Sequence, residues 1–493
     1  MALVKMIAKD ELPFSFVEAE GFLKFMQTCC PRFDVSSRRT ITRDILELYQ
    51  YEKGLLKSVL GASKQRVCIT TDIWSSIQMS NYMVITAHFI DAEWVLHKRI
   101  LSFTPIANHK GDGIGKLIET CLIDWGIERL FTITVDNASA NKVAIIYVKK
   151  KLANWSVNSM VLNGLYMHVR CSAYIINLIV QDGLAEVNHS IASIRNAVKS
   201  VRSSPARLQK FKTCVDREKI SYEGLMVLDV PTRWNSTYLM LHKAVVFEKA
   251  FDRMKEDDGH YVNWFVEDEG EKKMEGPPSN DDWGNARSDD LLRKMAEKME
   301  QKFAKYWGDS FDPVNMLLFV ANVLDPICKL EFVTFCFSSI YESRKVEELK
   351  SNIKELLMKL CNSYIGGSDV RNSGGFCFGD IHNGSSGGGG GGASSSIMYL
   401  ILSQIAKDVL AIPVSTVASE SAFSTRGCVL DPCRSSLTHK TVESLICTQN
   451  WLRSTLLGKQ IIQPTQEETE FYKVIEAEFG RPIVAQQEQA AEE

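Results

Sequence analysis

The sequence lacks a long apolar run and a leader-like N-terminus, and it has no large excess of charge of either sign. None of its apolar stretches approaches the ~18 residues that a membrane-spanning helix needs, so no membrane partner is expected. The first residues, MALVKMIAKDELPF, mix Lys and acidic side chains and lack the apolar centre of a signal peptide. The net charge is -3 over 493 residues. Any binding of nucleic acid must therefore come from local basic patches.

Cysteine is present in an odd number, 13, scattered without the spacing of a disulfide framework. This usage is typical of reduced thiols in an intracellular protein. No CxxC pair is followed by an HxxxH pair, so no zinc finger is detected.

Hydrophobic periodicity predicts a mixed α/β domain. After a helical stretch over residues 1–60, three β-rich runs follow that are spaced like an antiparallel meander: VCITTDIWSS, YMVITAHFID and WVLHKRILSF. The segment GIGKLIETCLIDWGI then predicts a helix, and FTITVDNASAN predicts another strand. The next segment, HVRCSAYIINLIVQDGL, predicts a buried helix.

Composition changes twice further along the chain. From about residue 248 the sequence becomes polar and helical, which predicts a helical insertion. Six consecutive glycines within residues 366–396 predict a flexible linker. The predicted organisation is an N-terminal helical region (1–60), a first core part (61–247), the insertion (248–365), the linker (366–396), a C-terminal region completing the core (397–455) and an acidic tail (456–493).

One segment of useful length is markedly basic. Between Arg195 and Lys219 there are eight Lys or Arg and two Asp or Glu. A binding surface and a solvated helix face explain this segment equally well. The shorter run Lys149-Lys150-Lys151 is interpreted as a solvated helix face.

Three carboxylates stand out by position. Asp72 lies at the end of the first strand run, Asp136 at the end of FTITV, and Glu420 on the first turn of a predicted helix in STVASESAFS. Acids at the ends of strands in one sheet can converge on divalent cations that stabilise the attacking and leaving oxygens of a phosphodiester. However, Asp and Asn also end strands and cap helices in many proteins. Spacing alone does not distinguish the two roles.

A series of motifs along the chain resembles a known family. The ordered motifs TTDIWSS, TVDNASAN, HVRCSAY, PTRWNST and IPVSTVASESAFSTRG, followed by ESLICTQNWL, resemble the hAT transposase superfamily, and most of all its plant sleeper-type members. The resemblance runs from about residue 7 to residue 455. It implies an RNase H-like mixed-sheet core interrupted by a helical insertion, with a C-terminal hAT dimerisation block.

The resemblance also implies site residues and partners. Asp72, Asp136 and Glu420 match the catalytic and metal-binding triad, with Mg²⁺ or Mn²⁺ as cofactor. Arg233 and Trp234 match a DNA-binding pair in which the Trp stacks on a flipped base. The implied partners are DNA and a second hAT chain, as a homodimer or heterodimer, and the implied location is the nucleus.

The sequence departs from the family pattern in four places. It begins just after the position where the family's BED zinc finger would end. Tyr174 stands where the family has a histidine, and packing within a buried helix is the favoured role for it. The segment PPSNDDWGNARSDDLLRKMAEKM joins two family blocks without the helices between them, and a Trp-rich segment before AKDVLAIPVS is absent.

Three functions follow from this combination. The leading hypothesis is a degenerate or domesticated transposase that binds DNA and dimerises without transposition. The second is an active Mg²⁺-dependent transposase, and the third is a protein-interaction module that pairs with finger-bearing relatives through residues 397–455.

Overall fold

The structure is a computed structural model that describes residues 1–62, 65–75, 81–222, 224–230, 234–266, 274–285, 289–307, 315–367, 391–421 and 437–457. These residues divide into two compact units. The first comprises Met1–Cys171 and Asn315–Glu493, and the second comprises Ser172–Val314. No helix in the described ranges is long and apolar enough to cross a bilayer.

A five-stranded mixed sheet forms the centre of the first unit. Its strands are β1 (Val67–Ser75), β2 (Asn81–Ile90), β3 (Leu96–Pro105), β4 (Leu130–Val135) and β5 (His168–Arg170), in the spatial order β3-β2-β1-β4-β5. The β1–β2 and β2–β3 pairs are antiparallel, and the β1–β4 and β4–β5 pairs are parallel. The predicted meander and the predicted fourth strand are confirmed.

The strand β5 was not predicted. The pattern of HVRCSAYIINLIVQDGL predicted one helix, but the helix begins only at Ser172 and His168–Arg170 form the edge strand. Three residues are too few to show the alternation of a strand, and an apolar helical pattern follows at once.

Helices cover the sheet of the first unit. The N-terminal helices are α1 (Ala2–Lys9), α2 (Glu20–Cys29) and α3 (Arg38–Ala62), with a 3₁₀ turn at Phe14–Glu18. Two more, α4 (Gly111–Trp125) and α5 (Ser139–Leu152), flank β4.

The close packing of α4 on α5 depends on two glycines. A Cβ atom added at Gly111 would lie 2.5 Å from the carbonyl oxygen of Ala140, and one added at Gly115 would lie 2.7 Å from the Tyr147 ring. The helix that follows Asp136 is therefore held tightly beside the sheet.

The C-terminal part of the first unit is also helical. It contains α14 (Leu317–Leu324), α15 (Lys329–Ser338), α16 (Ser343–Gly367) and α17 (Gly391–Leu410), then a short helix at 417–421 and finally α18 (His439–Leu457). Buried side chains of α18, among them Val442, Ile446 and Trp451, belong to the same hydrophobic core as the strands.

The second unit is built from helices. They are α6 (Ser172–Leu184), α7 (Asn188–Arg202), α8 (Pro205–Arg217), α9 (Trp234–Val246), α10 (Glu248–Asp257), α11 (Gly259–Trp264), α12 (Asn280–Asn285) and α13 (Asp289–Trp307). Its core contains Phe211, Phe247, Phe251 and Trp283, all buried.

Candidate active site

Asp72 lies inside β1 rather than at its end, because the strand continues through Ser75. Its Oδ1 accepts a hydrogen bond of 2.9 Å from the Ile73 amide. Burial raises the pKa of Asp72 to about 7, and repulsion from Glu420 and Asp136 acts in the same direction. A carboxyl in this environment gains from a nearby cation, because a cation favours its charged form.

Asp136 directly follows β4, as predicted, and it opens the turn into α5. Its Oδ1 accepts hydrogen bonds from the Ala138 amide at 2.9 Å and from the Asn141 side chain at 2.5 Å. Its Oδ2 makes no hydrogen bond to any described residue. The turn-forming role and the ligand role therefore use different oxygens of one side chain.

Asp72 and Asp136 line the same small pocket, of about 90 Å³. His109, Ile114 and Asn141 are also among the residues that line it. Beside Asp136, both amide atoms of Asn137 are buried without a hydrogen-bond partner in the described structure. Buried polar atoms are nearly always satisfied in native proteins, so this part of the chain has polar groups available for water or a ligand.

Glu420 lies on the short helix at 417–421 and is exposed. The preceding residue, Ser419, is buried and forms a 2.8 Å hydrogen bond with Thr70 of β1. Thr70 in turn bonds to His88 Nε2 at 3.2 Å. This buried polar chain fixes the helix of Glu420 to the strand that carries Asp72.

Two further hydrogen bonds hold the segment before Glu420. The Thr416 amide donates to the sulfur of Cys171 at 3.4 Å. The Thr134 hydroxyl of β4 donates to the Pro413 carbonyl at 2.7 Å. The segment that leads to the third acid is thus bonded to β4 and to the residue that follows β5. Ser419, Thr70 and Asn137 were not identified from the sequence, although Asn137 stands beside Asp136 in the motif TVDNASAN.

The oxygen ligands of this pocket fit a hard divalent cation. Mg²⁺ takes one or two protein carboxylates and keeps several waters. Asp72 and Asp136 would supply the carboxylates, and Glu420 adds negative charge close enough to raise the pKa of Asp72. Among the residues that the structure describes, no three His, Cys, Asp or Glu side chains come close enough together to hold a metal ion.

The structure describes only the backbone of one member of the predicted DNA-binding pair. Arg233 lies outside the described residues. Trp234 is the first residue of α9, and its side chain is likewise outside the described part. Their role remains a prediction.

Tyr174 does not pack within a buried helix as expected. It lies in α6 with 40% of its side chain exposed. The buried residues of α6 include Ile175 and Ile179, and Tyr174, one position before Ile175, lies about 100° around the helix from it and is partly solvent-exposed.

Three of the eight cations in the basic segment from Arg195 to Lys219 form ion pairs within the second unit. Arg195 forms a two-pronged ion pair with Asp229, with nitrogen–oxygen distances of 2.8 to 3.1 Å. Lys210 pairs with Asp258 at 3.0 Å, and Arg217 pairs with Asp257 at 3.0 Å. These contacts favour a structural role for Arg195, Lys210 and Arg217.

Four protein-family models match the chain. A ZBED1 RNase-like domain matches residues 70–166, and a ZBED1 RNase-like helical domain matches residues 169–286. A hAT-like transposase domain with an RNase-H fold matches residues 280–364, and the hAT family C-terminal dimerisation region matches residues 394–452. The predicted RNase H-like core and C-terminal hAT block are therefore confirmed.

Individual relatives agree with these matches. The chain is 31% identical to a protein of Zea mays named "Putative AC transposase", over 92% of this chain and 65% of that protein. It is 30% identical to the zinc finger BED domain-containing protein RICESLEEPER 3 of Oryza sativa subsp. japonica, over 92% of this chain and 70% of the relative. It is 26% identical to the zinc finger BED domain-containing protein DAYSLEEPER of Arabidopsis thaliana, over 91% of this chain and 73% of the relative.

The chain thus spans just under two thirds of the length of its maize relative. The strand order, the acids at the sheet and the matched domains agree with one another over most of the sequence. The chain belongs to the hAT transposase family.

Proposed function

We propose that this protein is a domesticated hAT transposase-like protein of the nucleus that binds DNA, associates through its C-terminal region and does not transpose. The observation that carries the proposal is the pocket in which Asp72 and Asp136 meet on an RNase H-like sheet. That sheet occurs in a chain similar to BED-type sleeper proteins of plants. Glu420 completes the triad in sequence but is exposed on a separate short helix.

DNA binding is the first property to test. Fluorescence anisotropy with a labelled duplex of about 25 base pairs, repeated over a range of salt concentrations, should show affinity that falls steeply as salt rises. Phosphate contacts release counterions, and this release causes the salt dependence. A chain that binds no duplex at low salt would contradict the proposal.

An active Mg²⁺-dependent transposase is the second candidate, and the two carboxylates that line one pocket favour it. When bound, Mg²⁺ would neutralise the phosphate oxygens of the DNA. Asp72 and Asp136 would hold it, and Glu420 would act as the third carboxylate. A nicking assay with supercoiled DNA distinguishes the two candidates. Cleavage by the wild type that is lost in Asp136→Asn would support an active enzyme. Equal products from the wild type and Asp136→Asn would exclude catalysis at this site.

Divalent-ion binding is the first prediction, and it can be measured without activity. Titration calorimetry of the wild type with Mg²⁺ and Mn²⁺ should show binding near the millimolar range or tighter, because Asp72 and Asp136 line one pocket. Asp136→Asn should abolish it, since the amide cannot supply charge. Asp112→Asn, an exposed acid on α4, is the matched control. Equal heats for the wild type and Asp136→Asn would contradict a metal site at this pocket.

A further inference from the structure

A group of basic side chains lies on α5 and β5, close in the chain to Asp136. His168 and Arg170 are the first and third residues of β5, so their side chains point to the same face. In the parallel pairing of β4 with β5, Arg170 lies opposite Val135, the residue before Asp136. The basic face of β5 is thus next to the strand end that leads into the candidate active site.

Two lysines of α5 complete the group. Lys142 and Lys149 are seven residues apart, which places them on the same side of the helix about 10 Å apart along its axis. Burial lowers the pKa of His168 to about 4, and the charges of Arg170, Lys149 and Lys142 act in the same direction. All three cations are therefore close enough to His168 to act on it electrostatically.

These cations lack carboxylate partners. In the described part of the chain, no ion pair or side-chain hydrogen bond is made by Lys142, Lys149 or Arg170. The neighbouring Lys151, by contrast, pairs with Glu119 at 3.4 Å. Lys149 is also partly buried, and burial lowers its pKa. Three unpaired cations that repel one another form a local field that attracts anions.

The aliphatic part of the Lys149 side chain lies beside the turn that contains Gly164. Its Cγ and Cε carbons lie 3.5 and 3.4 Å from the position of a Cβ atom at Gly164, where φ is +69°. A side chain at residue 164 would be strained in this conformation, and its Cβ would lie 3.0 Å from Met160 Sδ while making ordinary contact with Lys149. The aliphatic part of Lys149 thus lies beside this turn, and its side chain is half-buried.

We propose that Lys142, Lys149 and Arg170 form a binding site for the phosphate backbone of a nucleic-acid strand that leads toward Asp136. The separation of the two lysines exceeds the size of one phosphate group, which favours a strand with successive phosphates over a single free anion. Arg170 supplies a planar donor group that matches phosphate oxygens. The inference rests on the proposed function, since it assigns the contact residues for the DNA that the protein would bind.

Salt-dependent binding to the labelled duplex, measured in EDTA, tests this site. Lys142→Gln and Lys149→Gln should each reduce the slope of log K against log salt by about 1, because each removes one phosphate contact. Lys150→Gln, the matched control, removes the same charge one residue further along α5 and should leave the slope unchanged. Lys142 and Lys150 are exposed and Lys149 is half-buried, so thermal unfolding of each variant is measured beside the binding.

A second measurement reports on the site directly. Histidine ¹³Cε1 resonances, with His168→Gln for assignment, give the pKa of His168 with and without the duplex. Bound phosphates should raise this pKa from its low value, because they neutralise the cations that depress it.

The outcomes separate the two proposals. Wild-type binding with equal slopes for all variants and an unchanged pKa of His168 would overturn this site and leave DNA binding intact. Equal slope losses in Lys149→Gln and Lys150→Gln would also overturn it, since the field would then be diffuse. No binding by the wild type would contradict the proposed function and this site together.

Discussion

Asp408 is a carboxylate of α17 that is only 2% exposed. Its oxygens accept hydrogen bonds from the Arg66 amide at 2.9 Å and from the Tyr364 hydroxyl at 2.5 Å. Burial raises its pKa to about 7, although these hydrogen bonds act in the opposite direction. The side chain links α17 and α16 to the residue that precedes β1.

The second prediction concerns this group and the pH dependence of stability. In the folded chain Asp408 keeps its proton up to about pH 7, whereas in the unfolded chain it loses it near pH 4. The folded state therefore binds more protons than the unfolded state in this window. As a result, the contribution of Asp408 to the free energy of unfolding falls as pH rises from about 4 to about 7. In Asp408→Asn the side chain no longer titrates, but its amide oxygen can still accept a hydrogen bond and its polar group still faces Tyr364.

Urea unfolding at pH 5 and at pH 7.5 measures this effect. The stability of Asp408→Asn relative to the wild type should increase between these two pH values, by about 2–3 kcal/mol. Asp281→Asn changes an exposed carboxylate and is the control. Parallel pH profiles for Asp408→Asn and the wild type would contradict the raised pKa.

The third prediction tests the buried hydroxyl that positions Glu420. Ser419→Ala removes the 2.8 Å hydrogen bond to Thr70, which keeps its contact with His88. A loss of about 1 kcal/mol in the free energy of unfolding is expected, since one partner remains satisfied. Denaturant unfolding measures it, and the exposed neighbour Ser421→Ala should change stability by less than about 0.5 kcal/mol. Equal effects of the two substitutions would mean that the buried bond does not hold this helix.

At the residue scale, the sequence indicated the acids but not their supports. Asp136 was visible because an apolar β-branched run ends there, and Glu420 because it lies on the first turn of a predicted helix, while the family resemblance joined the three acids into one site. The bond between Thr70 and Ser419 joins residues 349 positions apart in the chain. Neither residue has a local pattern that distinguishes it from other hydroxyls, so only the folded chain shows the pair.

At the element scale, α18 covers the outer edge of the sheet. The edge strand β3 has its Ile100 amide bonded to Asn450 Oδ1 at 2.9 Å and its Phe103 amide bonded to Glu443 at 3.2 Å. The Trp451 indole donates to the Ile100 carbonyl at 2.8 Å. Exposed strand edges invite pairing with other chains, and here helix side chains take the place of a neighbouring strand.

The fourth prediction follows from this cover. Asn450→Ala leaves the Ile100 amide without its acceptor and should reduce the free energy of unfolding by about 1–3 kcal/mol. Asn450→Asp retains an acceptor oxygen and should cost less. Thermal and urea unfolding measure both variants. A larger loss in Asn450→Asp than in Asn450→Ala would show that the hydrogen bond is not the source of stability.

Long strands were predictable from the sequence, and the short edge strand was not. The strands β1 to β3 each have nine or ten residues, which is enough for a β-rich run to be recognised. By contrast, β5 has three residues and joins the sheet through its pairing with β4. Its amino acids alone do not specify that pairing.

At the scale of the whole molecule, the compact units differ from the predicted segments. The segment 172–247, assigned by sequence to the first core part, belongs to the helical unit, and residues 315–365 belong to the unit of the sheet. Helical periodicity is the same in both units, so composition could not show which core each helix joins. That choice depends on contacts between distant parts of the chain.

The C-terminal region has two roles to separate. Leu445, Trp451 and Leu452 are buried in the core of the sheet unit. Deletion of 397–455, the direct test of an interaction module, would therefore expose the core as well as remove any interface. Single substitutions at exposed positions are the sharper test of association.

The last prediction concerns self-association. Tyr399 and Leu400 of α17 are 73% and 67% exposed within the segment that matches the hAT dimerisation region. Exposed apolar side chains are tolerated in a monomer, and their burial against a second copy of the chain would stabilise a dimer. Tyr399→Asp and Leu400→Asp should each weaken dimerisation at least tenfold, because a charge would be buried at the interface.

Sedimentation velocity over a range of protein concentrations measures this change. Tyr238→Asp places the same charge at an exposed tyrosine of the helical unit and should leave the dimer intact. A monomeric wild type, or dimers unaffected by either α17 substitution, would contradict association through this helix. Loss of the dimer with unchanged thermal stability would show that α17 serves association on its exposed face while its buried face, with Ile405 and Val409, supports the fold.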